Sequence, residues 1–141
     1  MTVERVTAVD DALVEAFALL VPQVSSRPAP NRADLETLLA DPKTIQLVAR
    51  NGNEIAGALT LVVYRTPTGL TSVIEDVVVD QAARGRGLGE ALVEEAKAQA
   101  VAAGATRISL TSRPEREAAN RLYPRLGFEQ KQTNVYVWRP G

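Results

Sequence analysis

Residues 80–96 read DQAARGRGLGEALVEEA, with Gly85, Gly87 and Gly89 at alternate positions, Arg84 and Arg86 beside them, and an amphipathic run directly after. A turn from strand to helix needs one glycine. Three at alternate positions strip the Cβ atoms from a stretch of backbone whose amide N–H groups can then converge on an anion. The helix that follows contributes its unpaired first-turn N–H groups and the positive end of its dipole. The segment therefore reads as a phosphate cradle rather than a bare turn, with Arg84 and Arg86 supplying full charges.

Two familiar phosphate loops do not fit. A Walker loop ends in Gly-Lys-Ser/Thr, whereas Gly89 is followed by Glu90 and Ala91. A dinucleotide fingerprint places Gly-x-Gly-x-x-Gly at the first strand–helix turn of a parallel fold. Here the third glycine comes one residue early, and a first strand pattern and then a three-strand meander precede the loop.

Those patterns set the expected architecture. TVERVTA alternates as a first strand, and DDALVEAFALL has helical spacing with Asp10 or Asp11 as its cap. VPQVSSRPAPN is a Pro/Ser-rich loop, and Asn31 caps a second helix over RADLETLLA. TIQLVAR and EIAGALTLVVY flank an Asn-Gly hairpin turn, and TSVIEDVVV forms the next strand. A helix from about Gly87 to Ala103 stops at Gly104, a suitable C-cap. TRISLTS is a strand, REAANRLYPRL a short helix that Pro124 ends or kinks near Tyr123, and VYVWR a last strand. With no linker or repeat, residues 1–141 read as one α/β (α+β) domain.

The absences narrow the chemistry. The chain has no cysteine and no histidine. Disulfides, thiol nucleophiles, Ser-His-Asp triads and thiolate or imidazole metal sites are thereby excluded, and no metal is expected. Base chemistry falls to carboxylates, Lys, Tyr or water. A formal net charge of −1 argues against nucleic-acid binding. No apolar run approaches the roughly 20 residues of a membrane helix, and the charged N-terminus is unlike a signal peptide, so a cytoplasmic protein is expected.

With the loop Arg84-Gly85-Arg86-Gly87-Leu88-Gly89, the preceding triplet Val77-Val78-Val79 and the later segment LYPRLGF (residues 122–128), the sequence resembles the GNAT superfamily of acetyl-CoA-dependent N-acetyltransferases. The resemblance implies a central mixed, mostly antiparallel twisted sheet of six to seven strands flanked by about four helices. It implies acetyl-CoA as cosubstrate, its pyrophosphate held by backbone amides from Gly85 to Glu90. The main chain of Val77, Val78 and Val79 would pair with the pantetheine arm as an added strand. Many members carry a coenzyme-contacting Asn seven residues before the tyrosine. This chain has Arg116 there and Asn120 a turn later, on one helix face with Tyr123, and either is placed to substitute.

Amine acetylation needs a base for the amine, stabilisation of the developing oxyanion and a proton for the departing thiolate. By resemblance, Tyr123 is the acid. Glu75 is the candidate base, because a carboxylate in a hydrophobic strand is costly unless paired, exposed or functional. Strand alternation places Glu75 on one face with Val77 and Val79. A structural Glu75 paired with an arginine, and a water chain as base, remain alternatives. Tyr64, Tyr136 and Trp138 are candidate lining for the acceptor, with residues 21–31 as a cover. The expected partner is a small-molecule amine. A protein or peptide acceptor, a non-catalytic acetyl-CoA-binding module, and pairing with a second copy of the chain stay open.

Overall fold

The computed structural model describes residues 1–141. In chain order the elements are β1 (Thr2–Val6), α1 (Asp11–Leu20), α2 (Arg32–Ala40), β2 (Thr44–Asn51), β3 (Glu54–Thr66), β4 (Gly69–Val79), α3 (Leu88–Ala103), β5 (Ile108–Ser109) and α4 (Glu117–Arg125). Two short 3-10 turns occupy Val21–Gln23 and Gln81–Ala83.

The helix boundaries follow from local chemistry. Asp10 caps α1 by accepting the Leu13 N–H at 2.8 Å. Asn31 and Asp34 close a reciprocal capping box on α2, each side chain accepting the other's backbone N–H. Arg32 pairs with Asp11, tying the starts of the two helices together. At the end of α3, Gly104 N–H donates to Val101 O and Ala105 N–H to Ala100 O, both at 3.0 Å. That pattern is a Schellman motif, with Gly104 in the left-handed region at φ 86°.

β1, β2, β3 and β4 form an antiparallel meander in that order, with β5 parallel to β4 at its edge. The hairpin forms over NGN, with Asn51 the last residue of β2 and Gly52 and Asn53 the two-residue turn before β3. Alternation then sorts the side chains into two faces. Val48, Ala58 and Val78 pack under α1 and α2 in a core with Leu13, Phe17, Leu20 and Leu35. On the other face, a Cβ added at Gly57 would lie 3.2 Å from Leu92 Cδ1, so α3 covers Ala49, Gly57 and the fully buried Leu47 and Leu59. Burying both faces of β2 and β3 is what makes these strands near-continuous in hydrophobic residues.

The sheet has five strands, not six to seven. TRISLTS contributes only the two-residue β5, and VYVWR forms no strand. Val135, Tyr136, Val137 and Trp138 are exposed instead. High β-propensity does not make a strand without a partner whose N–H and C=O groups complete the ladder. The chain divides into two compact units, residues 1–111 with the whole sheet and 112–141 with α4.

Candidate functional site

β4 carries both an irregularity and an open edge. Thr60 pairs with Asp76 and Leu61 with Ile74, so Glu75 is the extra residue of a β-bulge. Simple alternation over Glu75, Val77 and Val79 is therefore interrupted at Glu75, because a bulge shifts the count by one. Glu75 and Asp76 are both exposed, and neither makes an ion pair. The desolvation penalty that singled out Glu75 is absent, and so is an arginine partner.

β5 pairs with β4 only at Ser72 and Val73. From Ile74 onward β4 has β3 on one side and no strand on the other. The second edge of Val77, Val78 and Val79 is thus open to an extended ligand, while the Val78 side chain is held in the core.

This open edge runs directly into the glycine segment. Asp80 caps the 3-10 turn Gln81–Ala83, and its N–H donates to Ala56 O at 2.8 Å. Gly85 and Gly87 have φ of 83° and 79°, and nothing lies within 4 Å of a Cβ built on either. Gly87 is the N-cap of α3 and offers no side-chain cap, so the first-turn N–H groups of Leu88 and Gly89 lack an intrahelical acceptor. Gly89 is the second helical residue rather than part of the loop, while Leu88 anchors the helix start at 2% exposure. Arg84, Arg86 and Glu90 are exposed. Arg86 also lines an open cleft of about 490 Å³ with Glu15, Leu19, Glu54 and Asp80. Left-handed glycines with open space where a Cβ would stand, a helix start without a side-chain cap and two exposed arginines alongside are features that suit a diphosphate, so these residues fit coenzyme A.

In residues 112–141, α4 explains the LYPRLGF segment in physical terms. Pro124 sits in the last turn and the helix stops at Arg125. Gly127, at φ 95°, donates to Pro124 O, and Phe128 N–H donates to Tyr123 O at 3.0 Å. This is a second Schellman motif, and its accompanying hydrophobic contact is the edge-on packing of the Tyr123 and Phe128 rings, centroids 5.7 Å apart. Tyr123 is buried, and burial raises its phenol above the ordinary range while the positive charge of Arg116 pulls the other way. Gly127→Ala is expected to destabilise the chain by about 1–2 kcal/mol through the left-handed backbone alone. A thermal melt with an unchanged midpoint would contradict that.

Arg116 is the N-cap of α4 rather than a helical residue, and the Asn120 amide donates to Arg113 O at 2.8 Å. Asn120 is thus committed to holding the approach to its helix. Tyr136 and Trp138 are exposed, and Tyr64 is half-buried opposite Thr71, early in β4. Residues 21–31 begin with the 3-10 turn and continue irregularly. Gln23, which no sequence motif marks, bonds to Asp80 and Gln81. No local pattern flags a contact across that separation. No helix is long and apolar enough to cross a membrane, and no cluster of three or more acidic residues is assembled that would suit a metal ion.

Among solved structures, an aminoglycoside acetyltransferase from an uncultured soil metagenomic sample superposes with a TM-score of 0.82 at 20% identity, covering 99% of this chain and 95% of that one. A transcriptional regulator from Bacillus halodurans C-125 gives 0.77 at 29% identity, covering 98% and 100%. The aminoglycoside 6'-N-acetyltransferase of Acinetobacter haemolyticus gives 0.76 at 19%, covering 99% of each chain. A search of curated proteins found no match. The sequence matches the model of the Acetyltransferase (GNAT) family over residues 9–128, a span that begins before α1 and takes in the open-edged strand, the glycine loop and the tyrosine helix. By that match the chain belongs to the GNAT family of acetyltransferases.

Proposed function

We propose that this chain, acting as one domain over residues 1–141, transfers acetyl from acetyl-CoA directly to a primary amine of a small molecule. The observation that carries the reading is the continuity of the unpaired β4 edge with the left-handed glycines at the start of α3. An extended pantetheine arm on that edge delivers its diphosphate to the amides of residues 85–90. Acetyl-CoA, as the family's cosubstrate, supplies an activated thioester. Backbone groups of Val77–Val79 align the arm, and Arg84 and Arg86 neutralise phosphate charge. Arg116 takes the place of the family's asparagine, since the Asn120 amide is engaged with Arg113.

Two side chains handle protons. Glu75, exposed and unpaired in the bulge, accepts the proton of the amine either directly or through water. Tyr123 donates one to the departing sulfur. The exposed Glu75 and Asp76 pair favours a cationic acceptor over an acidic one. Two of the structural neighbours are enzymes of aminoglycosides, which is in keeping with a small polycationic amine here. The setting is a cytoplasmic protein that needs neither metal nor nucleic acid.

Incubation with acetyl-CoA and a panel of aliphatic, sugar and aminoglycoside amines is expected to release free thiol with at least one of them. Glu75→Gln is expected to slow that release by about 10- to 100-fold at neutral pH. Binding of coenzyme without turnover of any amine would point to a regulatory module. Acetylated peptides by intact mass, with no small-amine turnover, would make the acceptor a protein.

A further inference from the structure

We propose that Gln23 is a positioning residue for coenzyme binding, holding the glycine loop from the far end of α1. The inference rests on the reading of residues 84–90 as the diphosphate cradle. Gln23 closes the 3-10 turn that continues α1. Its Nε2 donates to Asp80 Oδ1 at 3.2 Å and to Leu19 O at 3.3 Å, and its Oε1 accepts the Gln81 N–H at 3.1 Å. Asp80 Oδ1 also accepts the Ala82 N–H at 3.3 Å. One amide therefore grips both the cap residue of the turn Gln81–Ala83 and the first backbone donor within it.

The position of this grip gives it consequence. The loop between the turn and α3 is residues 84–87, and Gly85 and Gly87 restrain their own backbone less than any other residue. Such a segment holds its amides in a binding arrangement only if both ends are fixed. Leu88 fixes the α3 end by burial, and Ala83, at 5% exposure, is buried at the other. The turn itself is fixed by the Asp80 N–H to Ala56 O and by Gln23. Of the side chains that reach this far, only glutamine presents a donor and an acceptor at one end. A glutamate in its place would lose the donor and face the Asp80 carboxylate. A leucine would lose both bonds at similar volume. Loosening the turn spreads the loop over more conformations, and binding must then reorder it.

Calorimetric titration with coenzyme A, steady-state kinetics and amide hydrogen exchange on the full chain test this. Gln23→Leu is expected to speed exchange at Gln81, Ala82 and Ala83 and to weaken coenzyme A by about tenfold. KM for acetyl-CoA rises in parallel, while kcat changes by less than about threefold. Gln23→Glu weakens binding at least as much. Should Gln23→Leu fold poorly, the isosteric Gln23→Glu, read by the same titration and exchange, decides the matter. Wild-type affinity in Gln23→Leu, or in Gln23→Glu where the leucine variant does not fold, overturns the inference and leaves the coenzyme reading standing, provided the unaltered protein binds coenzyme A. An unaltered protein that does not bind it removes both.

Discussion

Gly87→Val is expected to lower coenzyme A affinity about a hundredfold or more while the sheet and α3 stay folded. Gly87 sits at φ 79° and ψ 13° as the N-cap of α3. A left-handed conformation costs an ordinary L-residue about 1–2 kcal/mol, and a β-branched one suffers most. Open space surrounds the would-be Cβ, so no clash with the fold adds to that figure. The backbone relieves the strain by turning φ negative, which rotates the adjoining peptide planes and disperses N–H groups that would otherwise converge. Losing two bonds to a charged phosphate, each contributing about 1.5–3 kcal/mol, accounts for the hundredfold figure. Gly87→Asn separates geometry from access. Asparagine tolerates the left-handed region, and its side chain can accept a first-turn N–H of α3. It should therefore fold as well as wild type yet bind coenzyme A more weakly, because its own oxygen competes with phosphate. Titration calorimetry paired with thermal melts reads both effects, and wild-type affinity in the valine variant would remove the diphosphate from this loop.

What the sequence discloses about this site is what is local. Asp10, Asn31 and Gly104 mark helix ends through bonds to residues within a turn or so, and each acts where its pattern placed it. Asn51-Gly52 marks the hairpin for the same reason. The open edge of β4 is less legible, since it depends on where β5 stops pairing, two residues into their contact. Glu75 is misjudged by period counting because a bulge adds a residue without any composition signal. VYVWR has the residue types of a strand, but pairing is a property of two segments, and nothing in the five residues says whether the second is there. The bonds of Gln23 to Asp80 and Gln81 span 57 and 58 positions and carry no spacing rule. LYPRLGF is a different case. Its glycine and phenylalanine are accounted for by helix termination and ring packing, neither of which uses the Tyr123 hydroxyl.

Removing that hydroxyl with Tyr123→Phe is expected to reduce kcat by about 10- to 100-fold, toward the low end of general-acid effects because a thiolate leaves readily without help. The ring and its contact with Phe128 are retained, so KM for acetyl-CoA should hold within about threefold. The pH profile distinguishes loss of an acid from a small misplacement. Burial raises the Tyr123 phenol above its ordinary 10.0 and the charge of Arg116 opposes the rise. The phenol therefore stays protonated, and able to donate, across neutral and moderately alkaline pH. A fall in kcat due to this group begins only above the ordinary phenol range, and Tyr123→Phe should abolish that alkaline limb. Arg116→Ala, which takes away the opposing charge, should move the limb further up. The same shift bears on stability. A folded-state value raised above the unfolded one favours the folded chain fully below pH 10, and that contribution is lost as pH climbs through the raised value. Tyr123→Phe should accordingly flatten the alkaline decline in melting temperature. A phenylalanine variant with wild-type kcat and an unaltered alkaline limb would take the proton-donor role from Tyr123 and pass it to solvent.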